Sequence, residues 1–261
     1  MGQWHKFFAP RQLLGHLTYL ETLSEVKHEI LQELDPDKGK AVSTYLAFVL
    51  DKCLNYNSSL CAWHPVRNSV ANTFDRHDFS IKWSFGEMNM GLKDKGAFPW
   101  ALSQIIDAYK GISDLAEPSR PLFPIESWKK RPPAEVRQGN AAALTDIPDA
   151  SIDAVVVDPP YGGNVMYAEL SDFFYVWMKR SVGDIYPEWF QAELTDKGSE
   201  AVANKARFKD AKGGKPRDLA AKDYMLKMRR VFREMRRVVK PDGSMVVMFT
   251  HRETDMWNSL G

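Results

Sequence analysis

The chain has 261 residues, 44% of them apolar and 26% charged, with a formal net charge of +1. Such values describe a globular chain able to bury a sizeable core. The balanced charge excludes a global field that would announce a nucleic-acid partner, so any basic surface must be local. The two cysteines, Cys53 and Cys61, do not have the spacing of a zinc knuckle, and they read as small buried hydrophobes with no metal site expected. Few cysteines, no signal peptide and no long apolar run fit a cytoplasmic chain with no membrane partner. The ends, Met1-Gly2-Gln3 and Met256 to Gly261, are abrupt and read as cut edges, so the chain is expected to be a fragment.

Residues Pro10 to Leu34 carry Leu13, Leu14, Leu17, Leu20, Leu23, Val26 and Ile30 at helical spacing. Asp35 to Gly39 reads as a stop, with proline and glycine as breakers. A second helix is expected from Lys40 to Ser58, with Val42, Leu46, Val49, Leu50 and Leu54 on one face and a polar stop at Asn55 to Ser59. Trp63 to Asn72 reads as irregular, Phe79 to Phe85 as strand-like, and Glu87 to Gly96 as loop. A third helix is expected from Trp100 to Ile112, followed by a proline-rich connector through Pro118, Pro121, Pro124, Pro132 and Pro133.

The character then changes. Ala134 to Arg137 reads as a short strand, Ala141 to Leu144 as a helical turn, and Ile147 to Asp153 as a turn-rich lead. Ala154 to Val157 is an apolar, β-branched run, as expected of a strand buried on both faces of a parallel sheet. Lys197 to Lys222 is rich in lysine and arginine, and reads either as a mobile loop contacting phosphates or as a solvated loop. A helix is expected from Asp223 to Val239, with Leu226, Met228 and Phe232 to one side and Arg229, Arg230, Arg233, Arg236 and Arg237 on the solvent face. Lys240 to Gly243 ends it, and Ser244 to Phe249 is a second buried strand. Strand, helix, strand in that order argues for an α/β layer. Two domains follow: a mainly helical accessory region over 1–130 and an α/β region over 131–261.

Asp158-Pro159-Pro160-Tyr161 stands where the first buried strand ends. Ligands of open α/β sheets bind beyond the carboxyl ends of strands. Prolines fix their own φ and hold the preceding residue extended, so Asp158 and Pro159 are rigid, aimed groups. A carboxylate and a carbonyl make two acceptors, and Tyr161 adds a flat face. Two acceptors suit the two hydrogens of an exocyclic amino group, whose lone pair then localises on nitrogen. A base must leave its helix to enter, at a cost of a few kcal/mol, while stacking on an aromatic returns about 1–3 kcal/mol. As a bare pattern the same four residues also suit a strand-ending turn.

Asp-Pro-Pro-Tyr after an apolar strand resembles the catalytic motif of amino-methyltransferases that use S-adenosylmethionine. Arg237 to Ser244 resembles the helix-to-strand turn common in that fold. Phe8 to Leu14, Phe79 to Asn89 and Tyr161 to Phe174 look like the predicted adenine-specific DNA methylases carrying the uncharacterised domain DUF1156. The resemblance implies an incomplete Rossmann-like domain over 131–261, DNA as partner, association with other subunits of a modification or defence system, and a base held by Asp158, Pro159, Pro160 and Tyr161. It also implies cofactor contacts at Asp158 and at Gly139-Asn140, where related enzymes place Gly-Asp. The family's glycine-rich cofactor turn is not found in the sequence. Asn164, Tyr167 and His251 are the remaining substrate candidates; Asn164 equally suits a helix cap, and His251 a structural histidine. Phe174 and Trp177 read as core, and Arg11 and Gln12 as cap or cofactor-side contacts. The expected activity is adenine-N6 methylation of DNA. Methylation of cytosine, RNA or protein, and a non-catalytic nucleic-acid-binding or assembly module, are the alternatives.

Overall fold

The structure, a computed structural model, describes residues 3–116 and 134–250. Its described residues form five α-helices and two small sheets, a mixed helix-and-sheet chain. They divide into two units, residues 1–131 with 169–195 and residues 132–168 with 196–261. The proline cluster from Pro118 to Pro133 and His251 lie outside the described residues. No helix among the described residues is long and apolar enough to cross a membrane.

In the first unit, α1 spans Pro10–Glu33 and α2 spans Pro36–Tyr56. Asp35 to Gly39 does break α1, yet it does not delay the next helix. Asp35 is the N-cap of α2, its carboxylate accepting from the amides of Asp37 (3.1 Å) and Lys38 (3.4 Å), and Pro36 takes the first helical position, where a missing N–H is harmless. Trp63 to Asn72 is not irregular: β1 (Trp63–His64) and β2 (Ser69–Val70) pair antiparallel around a turn with Asn68 at positive φ. Phe79 to Phe85 forms no strand despite its alternation, since among the described residues no strand pairs with it. Next, α3 covers Phe98–Ala116, longer at both ends than its expected Trp100 to Ile112. The Glu87 to Gly96 loop is loop as expected.

The core of this unit joins Leu50, Leu54 and Leu60 to Phe7, Phe8, Phe173, Val176 and Trp177. Trp177 is buried as expected; Phe173 is the more deeply buried of the two adjacent phenylalanines. Cys53 and Cys61 are both buried and free. The leucine stripe of α1 is only partly core. Leu23 is buried, but Leu14 is 67% exposed, while Gln12, His16 and Lys27 are buried. Those polar groups are held by hydrogen bonds. Gln12 caps its own helix, its Oε1 accepting from Ala9 N at 2.9 Å, and its Nε2 donates to Asn57 Oδ1 at 3.1 Å. His16 Nε2 lies 2.9 Å from the Asn57 carbonyl. Lys27 donates to Ser181 O (2.8 Å) and to both carboxylate oxygens of Asp184 (2.7 and 2.8 Å). Arg11 pairs with Glu87.

In the second unit, β3 (Ile152–Val157) and β4 (Val239–Val247) pair in parallel, as the strand–helix–strand order anticipates. Two further helices are α4 (Tyr167–Val182), which begins here, and α5 (Pro216–Val238). Ala134 to Arg137 is exposed and forms no strand. The expectation that β3 and β4 are buried on both faces also fails: Val156 is 64% exposed, and Met245 and Val246 are exposed too. The cause is cover: among the described residues nothing packs fully over these side chains, and a parallel strand is buried on both faces only where helices lie on both. α5 ends at Val238, next to the expected stop, and Lys240 to Gly243 forms a bulge in β4. Pairing runs from Ile152↔Val239 to Ala154↔Ser244, and the extra β4 residues loop out between. Gly243 is required there, because a Cβ would stand 2.8 Å from the Asp153 carbonyl oxygen.

The buried stripe of α5 is Ala220, Tyr224, Met228, Val231, Met235 and Val238. Met228 belongs to it as expected; Leu226 is exposed. Arg237 is not merely solvated. It donates to Leu144 O (2.8 Å) and Ile147 O (3.0 Å) and pairs with Glu234 (2.9 Å) and Asp149 (2.5 Å), clasping the turn before β3 onto α5. The basic stretch 197–222 is also more ordered than a loop, with a 3-10 helix at Lys205–Phe208 and α5 starting at Pro216.

Two expectations about stability follow. Leu50→Ala removes a fully buried side chain and is expected to cost about 2–5 kcal/mol, read as a lowered urea midpoint, while Leu14→Ala is expected to change it by under about 0.5 kcal/mol. Burial pushes the His16 imidazole down to about 4 from 6.5. The unfolded chain therefore binds the extra proton between those values, so His16 supports the fold fully above about pH 6.5 and less as pH falls towards 4. The loss is expected to reach about 3 kcal/mol, read as a pH-dependent gap between wild type and His16→Phe that is flat above pH 7. Burial raises the Asp51 carboxyl. That group acts in the opposite sense, weakening the fold as pH rises through its folded value, and it cancels in the comparison.

Candidate functional site

Both strands of the parallel pair run the same way, so their carboxyl ends emerge side by side. Met248 N donates to the Val157 carbonyl at 2.9 Å, closing that edge. Asp158 to Tyr161 leaves from β3 here, and Phe249 leaves from β4 beside it. The Tyr161 ring meets the Phe249 ring edge to face, with centroids 5.2 Å apart and planes at 79°. Asp158 is exposed, Pro159 buried, and Pro160 and Tyr161 half-buried.

Within the motif, the Tyr161 hydroxyl donates to Asp158 Oδ1. This bond, then partial burial, then the Asp158 and Tyr167 charges, hold the Tyr161 phenol above its usual value of 10. Tyr161 therefore does two things: it offers a ring face and supplies a donor to the carboxylate. The Pro160 carbonyl is not free for a ligand, because the Tyr224 hydroxyl of α5 donates to it at 2.8 Å. Tyr224 itself is completely buried, packed with Met228 against Ala201, Ala203, Ala221, Phe232 and Phe249.

The chain after the motif is fixed by the start of the basic stretch. Gly162, at φ +60°, presents its carbonyl to Ala203 N at 3.0 Å. A Cβ on Gly163 would stand 3.0 Å from the Ala203 carbonyl oxygen, so the two backbones touch there. Asn164 is exposed, and its amide closes a turn onto the Tyr161 carbonyl at 3.3 Å. It does not cap α4; the Ala168 amide of that helix donates to Glu200 Oε1 at 3.0 Å. Tyr167, the first residue of α4, is 57% exposed and near enough to Tyr161 for its charge to be felt. Lys227 of α5 donates to the carbonyls of Gly198 (2.7 Å) and Glu200 (3.0 Å), holding that strip in place.

The structure thus brings Asp158, Pro159, Pro160, Tyr161, Asn164 and Tyr167 into one segment. Gly139 and Asn140 make a separate, exposed turn, in which Asn140 Oδ1 accepts from Ala142 N and its carbonyl from Ala143 N, each at 2.9 Å. His251 lies outside the described residues. Sequence reasoning missed Tyr224, Glu200 and Lys227. Tyr224 and Met228 are one helical turn apart, followed by Val231, Met235 and Val238, so the periodicity contained that signal. Nothing local marks Glu200, whose partner is 32 positions away. No family model, curated protein or solved structure matches the chain.

Asp158→Asn is expected to lower the Tyr161 titration midpoint towards that of an ordinary phenol. Ring-carbon NMR of labelled tyrosine reads it, with Tyr161→Phe assigning the signal. Asp158→Ala removes the acceptor altogether, and a midpoint unmoved in that variant would rule out the hydrogen bond as its cause.

Proposed function

We propose that the chain carries the base-holding part of a DNA adenine-N6 methyltransferase, of the Asp-Pro-Pro-Tyr amino-methyltransferase kind and with an incomplete Rossmann-like fold. One observation carries the reading: Asp158 to Tyr161 leaves the carboxyl end of a strand in a parallel pair, with a hydrogen-bond donor already on the Asp158 carboxylate. The family resemblance of the segment from Tyr161 to Phe174 supports it and implies DNA as partner, with other subunits of a modification or defence system, while the few cysteines and the lack of a signal peptide fit a cytoplasmic place of action.

The chemistry assigned to this chain is limited to the substrate. Asp158 and the Pro159 carbonyl accept the two hydrogens of an exocyclic amino group. Drawing on both hydrogens localises the nitrogen lone pair, which makes a weak nucleophile better. The Tyr161 ring stacks on the flipped-out base. A base amino group is the same kind of donor as the Tyr161 hydroxyl, so it can take the place that the hydroxyl holds on Oδ1.

S-adenosylmethionine is the methyl donor that this reading requires. The described residues do not build a cradle for it: Gly139 and Asn140 are exposed, and Asn140 spends its side-chain oxygen and its carbonyl on its own turn. That mismatch, with the exposed apolar residues of β3 and β4, favours a second reading, a nucleic-acid-binding or assembly module derived from such an enzyme.

Transfer of label from S-adenosylmethionine to DNA tests the first reading. Asp158→Ala is expected to lower transfer about 100-fold or more, the scale seen when a charge-stabilising group at a reacting centre is lost. Transfer unchanged in that variant would sink the role given to Asp158. Calorimetry separates the two readings: DNA binding without S-adenosylmethionine binding is the result expected of the module.

A further inference from the structure

We infer that Tyr224 is the positioning residue of the motif, holding the Asp158–Tyr161 segment in its working shape through the Pro160 carbonyl. Pro160 has no N–H, so its carbonyl is the only backbone group through which a hydrogen bond can hold it. The Tyr224 hydroxyl takes that carbonyl at 2.8 Å, from a side chain with no solvent exposure. That hydroxyl therefore cannot exchange this bond for one to water, and breaking it would cost desolvation of the hydroxyl.

The same helix reaches the motif by a second route. Lys227, three residues on and so on the same face of α5, ties down Gly198 and Glu200. The strip it holds then receives Gly162 through Ala203 and caps α4 through Glu200. The motif is thus gripped at Pro160 directly and at Gly162 through the strip. Between the two grips stands Tyr161, whose hydroxyl must meet Asp158 Oδ1 and whose ring must meet Phe249. A shift of Pro160 moves both. Supporting groups of this kind keep a site within the small tolerance its chemistry needs.

The consequence for methyl transfer rests on the amino-methyltransferase reading; the structural claim does not. Tyr224→Phe keeps the ring and its packing and removes the one hydroxyl. The Tyr161 phenol is then expected to titrate lower, towards an ordinary phenol, by the same ring-carbon NMR and with an unchanged far-UV spectrum. In a transfer assay, kcat is expected to fall by up to about tenfold with KM little changed, as for loss of one hydrogen bond. A Tyr161 midpoint identical in wild type and Tyr224→Phe overturns the inference, whatever the transfer assay gives. Absence of transfer in the wild type would instead overturn the function, leaving the titration to decide on Tyr224. Should Tyr224→Phe fail to fold, the wild type answers through the Tyr224 hydroxyl proton. A slowly exchanging signal supports the inference, and exchange as fast as for an exposed phenol overturns it.

Discussion

Parallel pairing of β3 with β4 is the constraint on which the second unit depends. Parallel strands cannot be joined by a tight turn; the chain must leave one end of the sheet and return to the other. Everything between Val157 and Val239 is that connection. It includes the motif, α4, the strip from Gly198 to Asn204, and α5. Because the strands point the same way, Asp158 and Phe249 leave the same edge, and the motif acquires an aromatic neighbour more than eighty residues distant in sequence. The return path delivers α5, whose buried stripe puts Tyr224 beneath Pro160.

How far this was legible depends on the range of the interaction. The helices of the first unit could be read because their apolar residues recur every three or four positions. The motif could be read because proline restricts its own backbone. Asp35 does stop α1, but the second helix begins at Pro36 and not at Lys40, because a residue that ends one helix can also cap the next and Pro36 is harmless at the first helical position. Phe79 to Phe85 alternates like a strand but meets no partner strand among the described residues, and alternation alone cannot supply one. Ala154 to Val157 looked doubly buried because its composition is that of a central strand, whereas burial is decided by what covers the sheet. The contacts that shape the site, Tyr224 with Pro160 and Glu200 with Ala168, join positions 64 and 32 apart; the periodicity of α5 marks Tyr224 as buried, but nothing local names either partner.

The first unit makes a different use of polar groups. Asn57 is buried and serves as a junction: its side chain accepts from Gln12 and from Met88 N (2.9 Å), donates to Met88 O (3.2 Å), and its carbonyl receives His16. α1 is thereby joined to the loop around Met88 by directional bonds rather than by apolar contact alone. Bonds of this kind specify one arrangement where leucines could settle into several, and each partner removed leaves another unsatisfied. A helix whose leucines are partly exposed can still have a definite orientation for that reason.

The hydroxyl of Tyr161 on Asp158 has a bearing on discrimination. A group that takes its place on Oδ1 trades one donor for another, so its net gain is only the difference between two hydrogen bonds. A group that can only accept, such as a ring carbonyl, finds no donor there once the phenol has turned away, and faces the carboxylate with like polarity. On the proposed methyltransferase reading, selection between amino and keto edges would then be set less by attraction for the right group than by the expense of unseating the tyrosine for the wrong one.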